Sequence, residues 1–402
     1  MPPVIASRQG WLESLRGIAA LQVFLLHLLG AFWLPAVTGE GPAGLATWLA
    51  RSPLALLWDG ESAVALFFLL SGAVLAGAFS RQLDAPGAAL AARLLRLGLP
   101  GALACLLAFL IFHAFPGAHG AAAARLGASW LGDNWAADGS LASLLWEAGP
   151  GLLLGFIPGL PPLPGIASAY NGPLWTMAVE LRGSVLVLLL LLARRRWPSA
   201  WGWGAAVALA CLWRSEYAGF LVGALGWLAA PRLAALLPAR RRGGLALGAG
   251  LAGAGLSWLA LGAAPEDLAS SGGWLPALSP EDLLRGFGTT LGFAAVAAAP
   301  GLRRRLETRW LAWLGRLSFP LYLVHWPMIL GPGAAAFLVL EPALGAAGAR
   351  LGGMGVASLL SLLLALAFRP VDAAAIRWSR RLREALAAPP PAAAACAATS
   401  RV

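Results

Sequence analysis

Apolar runs of 15 to 25 residues, separated by short polar or arginine-bearing stretches, recur along the whole chain and predict an all-α bundle of about ten transmembrane helices. The runs fall at 14–36, 62–80, 96–116, 174–193, 199–213, 216–231, 244–263, 284–300, 317–340 and 351–369. With the N-terminus inside, twenty-three arginines flank the cytoplasmic ends of these runs, five lie on the other side, and Arg182 falls within a span. That asymmetry is what the positive-inside rule expects of an N-in, C-in protein. The longest connection, 116–172, lies outside in this scheme. Its apolar patch at 141–157 is too rich in Gly and Pro for a full span and reads as a re-entrant or interfacial piece. The first run is longer than a signal-peptide core and lacks a small-x-small cleavage site, so it is expected to stay in the mature chain. Residues 1–370 then form the membrane domain, and 371–402 form a cytoplasmic tail, basic and amphipathic to Arg383 and then Ala/Pro-rich and disordered.

Against this apolar background the polar residues stand out. Arg16 and His27 share the first span; eleven positions apart, they lie on nearly one helical face, about 16 Å apart along the axis. An Arg at membrane depth costs about 2.5–3.5 kcal/mol on insertion scales, so such residues face a protein interior or a watery cavity. Arg16 reads either as a snorkelling flank or as a functional cation. A mid-span histidine must hydrogen-bond inside the bundle or act chemically.

Other spans carry further polar groups. The second run places Glu61 and Ser71 beside the small residues Gly72 and Gly77, which helix packing alone accounts for. Arg93 and Arg96 lie one turn apart before the third run, either as a positive-inside flank or as a pair able to grip phosphate bidentately. Glu180 and Arg182 sit inside the fourth run; an acid there is a structural ion-pair partner or part of a proton-handling site. Ser318, Tyr322 and His325 follow Arg316 at spacings of four and three, along one face of the ninth span. Interfacial aromatic belts account for Tyr322 and Trp326, though not for His325.

Composition narrows the class further. The chain is 59% hydrophobic and only 12% charged, with a mean hydropathy of +0.75. All its basic residues are arginine, and a net charge of +11, which in a soluble protein would point to nucleic acid, here follows from membrane orientation, so no nucleic-acid partner is expected. Cys105, Cys211 and Cys396 lack CxxC spacing, and His113 and His119 lack acidic or thiol companions, so no metal site is expected. Gly248, Gly250 and Gly253 spell GxGxxG, but inside an apolar span with no preceding strand, where helix packing is the better reading.

Five stretches in order resemble the acyltransferase 3 family of membrane-bound acyltransferases: LRGIAALQVFLLH from Arg16 to His27, FFLLSG at 67–72, RLLR from Arg93 to Arg96, PLWTMAVE ending at Glu180, and LGRLSFPLYLVHWP ending at Pro327. Similar sequences usually have Asp-Gly where this chain has Glu13-Ser14, Tyr-Ser in place of Phe319-Pro320, Ser in place of Ala178, and a second acid in place of Leu181. The resemblance implies a ten-helix fold in the bacterial cytoplasmic membrane that moves an acyl group, acetyl by expectation, from cytoplasmic acyl-CoA to a hydroxyl of a sugar or other cell-surface glycan or glycolipid. It implies acyl-CoA as a donor substrate and no tightly bound cofactor. His27 is the expected general base with His325 as its rival, Glu180 the expected group that orients or balances the imidazole, and Arg16, Arg93, Arg96 and Ser71 the expected donor side. A transporter or flippase is the alternative that a polar-lined bundle also fits.

Overall fold

The computed structural model describes residues 10–135, 137–155, 170–236, 239–261 and 278–387. The Ala/Pro-rich tail expected after Arg383 lies mostly outside the described residues. Among those described there is no β-strand. The principal helices are α1 (Gly10–Phe32), α2 (Gly60–Phe79), α3 (Pro86–Ala114), the short α4 (Ser129–Asp133), α5 (Leu141–Trp146), α6 (Trp175–Arg196), α7 (Trp201–Leu212), α8 (Tyr217–Leu236), α9 (Ala239–Leu261), α10 (Pro280–Ala298), α11 (Arg309–Met328) and α12 (Ala334–Ala387).

The chain marks several of these starts itself. The Asp59 side chain accepts from Ser62 N ahead of α2, Ser279 accepts from Asp282 N ahead of α10, and Thr308 accepts from Leu311 N ahead of α11. Each satisfies a backbone donor that the first helical turn leaves free. Prolines open α3 and α10, where a missing N–H costs nothing. Arg194, Arg195 and Arg196 close α6, where cations suit the helix dipole.

Among the described residues six helical stretches are long and apolar enough to cross a membrane: Gly10–Phe32, Gly60–Phe79, Pro86–Ala114, Gly172–Arg196, Arg242–Leu261 and Arg309–Ala387. The last of these contains both the ninth and the tenth expected runs. It is not one rod. At Gly345 the backbone turns to φ 65°, ψ 171°, a left-handed conformation that glycine adopts without a Cβ penalty. Beyond it the chain doubles back: a β-carbon on Gly353 would lie 2.9 Å from the Gly333 carbonyl oxygen and 3.2 Å from Phe337 Cβ. Along an unbroken helix residues 333 and 353 would be about 30 Å apart.

The remaining expected spans depart from the sequence reading in specific ways. The run at 199–213 forms a helix of 12 residues, about 18 Å long and short of the roughly 30 Å hydrocarbon layer. The runs at 216–231 and 284–300 become helices of 20 and 19 residues, the second with Glu281, Asp282 and Arg285 in its first two turns. The tenth run does not stop at residue 369 but continues as helix to Ala387. The described part of the 141–157 patch, residues 141–155, folds as short helical turns through Leu154, too brief to span.

Small residues set how closely the helices meet. Between α2 and α8, Gly72 lies against the Phe220 carbonyl and Gly223 against the Leu69 carbonyl, with no room for a side chain. Gly253, the last glycine of the GxGxxG run, packs on the backbone of α10 at Gly288 and Gly292, which makes that run a helix contact. Most consequential is α1 against α11: a β-carbon on Gly17 would lie 2.6 Å from Gly315 N. Ten residues further along both helices His27 meets His325, so the two helices run parallel at a constant offset of 298. The core around them draws Val23, Phe24 and Leu28 from α1, Leu321, Leu323 and Val324 from α11, and Ala104 and Ala108 from α3. The outer surfaces of α9 and α12 expose Leu247, Leu251, Leu351 and Leu359 as lipid-facing side chains.

Candidate active site

The parallel packing of α1 and α11 brings His27 Nδ1 to 2.8 Å from His325 Nε2. The ring planes differ by only 7° at a centroid separation of 5.1 Å. With so short a contact between ring nitrogens, the imidazoles lie end to end in one plane, as an in-line hydrogen bond requires.

Their tautomers follow from the neighbours. His325 Nδ1 lies 3.0 Å from the Leu321 carbonyl and 2.9 Å from the Tyr322 carbonyl, and carbonyls only accept. Nδ1 of His325 therefore carries the hydrogen, and its Nε2 presents a lone pair in the neutral ring. His27 Nδ1–H must be the donor between the rings, which leaves His27 Nε2 as a bare lone pair. The pair is wired in one direction, with its basic nitrogen on His27.

Aromatic rings enclose it. Trp130 of α4 lies nearly parallel to His27 at 5.8 Å, Trp326 meets it edge-on at 5.0 Å, and Phe24 stands edge-on to His325 at 6.1 Å. Trp130 packs over Gly30 of α1, where a β-carbon would stand in ordinary contact at 3.4 Å from the indole.

Proline shapes the same end of α11. Pro327 has no N–H, so the carbonyl of Leu323, four residues earlier, loses its helical partner. Asn171 Nδ2 donates to it instead, at 2.8 Å. The segment that carries Asn171 is anchored by Glu147, whose two oxygens accept from Tyr170 N at 2.6 Å and Asn171 N at 2.8 Å. Burial pushes the Glu147 carboxyl above the usual carboxylate range, and the two amide bonds pull it part of the way back. Tyr322 OH donates to the Pro173 carbonyl at 2.5 Å and lies 2.7 Å from Thr176 Oγ1, which ties α11 to the start of α6.

A second cluster occupies the end of the bundle where α1, α3 and α11 begin. Arg93 of α3 pairs with Glu180 of α6, and its Nε donates to Ser184 Oγ at 2.9 Å. Ser71 Oγ donates to the other Glu180 oxygen at 2.6 Å. Arg96 pairs with Asp372 of α12 at 2.7 Å and lies over the Phe319 ring at 4.8 Å. Arg16 feels the charges of Glu180, Arg93, Glu13 and Asp372, and Arg96 those of Arg93 and Arg16. Three guanidinium groups thus converge with the carboxylates of Glu180 and Asp372, with Glu13 nearby, and present donors suited to an oxyanion such as phosphate.

The structure therefore gathers all seven predicted residues, but into two groups. His27 and His325 form one group; Arg16, Arg93, Arg96, Glu180 and Ser71 form the other. Two expectations change. Glu180 engages Arg93 and Ser71, and the partner of the His27 ring is His325. Arg182 is not the base beside Glu180: two residues apart on a helix, the side chains point to different faces, and Arg182 donates to the Leu154 carbonyl. Tyr322 and Trp326, read as interfacial belt residues, are 7% and 5% exposed and line the histidine pair. His113 and His119 stand apart, one bonded to the Gly139 carbonyl and the other edge-on to Trp135. Asn171, Trp130, Ser184 and Asp372 were not anticipated. Only Asn171 had a signal, the proline four residues after Leu323, and it names the orphaned carbonyl without naming its partner.

A family model described as an acyltransferase domain matches residues 9–368, nearly the whole chain and every residue of both clusters except Asp372, which lies just beyond it. Comparison with curated proteins and with solved structures returns no match. A transporter is not favoured by these findings. A helical membrane protein with a wired imidazole pair, matched over residues 9–368, belongs to the acyltransferase 3 family, whose members act on an acyl donor and an acceptor.

Proposed function

We propose that the protein transfers an acyl group, acetyl in the simplest case, from acyl-CoA on the cytoplasmic side to a hydroxyl of a sugar or cell-surface glycan on the other. It does so in a bacterial cytoplasmic membrane, with both termini inside and ten crossings, the 12-residue helix of the 199–213 run crossing where the bilayer thins around it. The parallel run of α1 and α11 supports the scheme, since the first and ninth crossings must share a direction. In this reading the arginine cluster, at the end where α1 and α3 begin, holds the phosphates of CoA, and the histidine pair lies toward the acceptor side.

The observation that carries the reading is the in-line contact of His27 with His325. A sugar hydroxyl is a poor nucleophile near neutral pH and needs a base as its bond forms. His27 Nε2, the free lone pair, takes the hydroxyl proton while the oxygen attacks the thioester carbonyl. When the C–S bond breaks, the departing sulfur takes that proton back from His27, giving the ester and CoA thiol. His325 does not touch substrate; it accepts from His27 Nδ1–H, fixes the productive tautomer and steadies the imidazolium that forms. Transfer of labelled acetyl from acetyl-CoA by the purified protein to acceptor-bearing membranes tests this. Turnover by the wild type and loss of it in His27→Ala are expected; no CoA release by the wild type would sink the proposal.

A further inference from the structure

Two polar atoms beside the histidine pair are left without a partner. Trp326 is 5% exposed and Asn171 1% exposed, yet the indole Nε1–H and the Asn171 Oδ1 make no hydrogen bond. The amide orientation is settled, because Nδ2 must be the donor to the Leu323 carbonyl. Buried polar groups in native proteins are ordinarily paired, and an unpaired one costs about 1–3 kcal/mol, so two at one place point to something that binds there.

Both atoms flank Gly172. Asn171 is its neighbour, and a β-carbon on Gly172 would lie 3.1 Å from Cζ2 and 3.4 Å from Cε2 of Trp326, the edge that carries Nε1. The same indole stands edge-on to His27 at a centroid distance of 5.0 Å. One atom only donates and the other only accepts. A hydroxyl satisfies both; an ammonium leaves the indole N–H unpaired, and a carboxylate leaves the Asn171 oxygen unpaired.

We propose that Asn171 and Trp326 form the subsite that receives a hydroxyl of the acceptor, so that the group bound beside the histidine pair is an uncharged alcohol. This rests on the acyl-transfer reading above and specifies its acceptor side. Both atoms are closed to solvent, so a hydroxyl reaches them only when the indole, packed on Gly172, shifts. Glu147 is the positioning residue behind the subsite, through the amide bonds that hold residues 170 and 171.

The test uses full-length protein in membranes that supply the acceptor, with labelled acetyl-CoA as probe, and reads label on the acceptor against label released as acetate. Trp326→Phe keeps the ring and removes the N–H. It should lower transfer to the acceptor about tenfold and shift the partition toward acetate. Gly172→Ala should act in the same direction by blocking the indole, with donor binding unchanged in both variants. An unaltered partition in both folded variants overturns the proposal. So does an equal loss of transfer and acetate release in Trp326→Phe, which would make the indole a support for His27 only. A wild type that leaves acetyl-CoA intact fails the acyl-transfer reading itself, and this inference falls with it.

Discussion

Gly17 lies against Gly315 so closely that a β-carbon would stand 2.6 Å from the Gly315 nitrogen, and this contact sets the register in which His27 finds His325. The obstacle is backbone, which cannot rotate aside as a side chain would. Gly17→Val should push α1 off α11, cost about 1–3 kcal/mol of stability and separate the imidazoles. Thermal melting together with acetyl transfer checks it; a variant with wild-type stability and activity would show that the helices can part without consequence.

His27→Ala should lower turnover by about 10²–10⁴-fold with acyl-CoA binding nearly intact, since general base catalysis contributes a factor of that order. His325→Ala should cost less, because it removes the group that fixes the tautomer and leaves the base. Single-turnover rates of both variants decide the order. If His325→Ala is the more damaging and His27→Ala keeps near-normal transfer, the base is His325.

Arg93 and Arg96 are held by Glu180 and Asp372, poised for an anion to share them. Each charge-assisted contact is worth about 1.5–3 kcal/mol, so removing one should weaken CoA binding about tenfold or more. Arg→Lys should recover only part, because an ammonium lacks the planar fork. Competition binding of CoA to the double alanine variant measures it, and unchanged affinity in folded protein removes the arginines from donor binding.

Glu147→Gln keeps one acceptor oxygen but leaves one of the Tyr170 and Asn171 amides facing an NH₂, at a cost of about 1–3 kcal/mol. Burial raises the Glu147 carboxyl above its unfolded value. Across the window between those two values the folded chain binds more protons than the unfolded one, so this group's contribution falls as pH rises. The melting-temperature gap between wild type and Glu147→Gln should therefore be wider at pH 5 than at pH 7. A gap that widens with pH would contradict the raised carboxyl.

Reporter fusions after Arg196, Arg242 and Arg305 should all report cytoplasm, and one near Gly273 the opposite side. An outside signal from any of the first three breaks the N-in scheme of ten crossings.

The sequence by itself determined that the chain is helical and membrane-bound, where most of its long apolar helices lie, and which ionisable residues sit at depth. These properties depend on hydropathy over a window of about twenty residues and on the expense of a charge in hydrocarbon, both local to the chain. Tertiary structure alone decided the partners. His27 and His325 are 298 positions apart, and whether they meet depends on helix rotation and register, which Gly17 and Gly315 set by allowing backbone to touch backbone. The same holds for Glu180, which read in sequence as a neighbour of Arg182 or of the histidine and is claimed by Arg93 from another helix. Asn171 belongs there too: Pro327 declares an orphaned carbonyl in the sequence, but a hydrogen-bond donor is chosen by distance in space, and the chain brings one from 152 residues away.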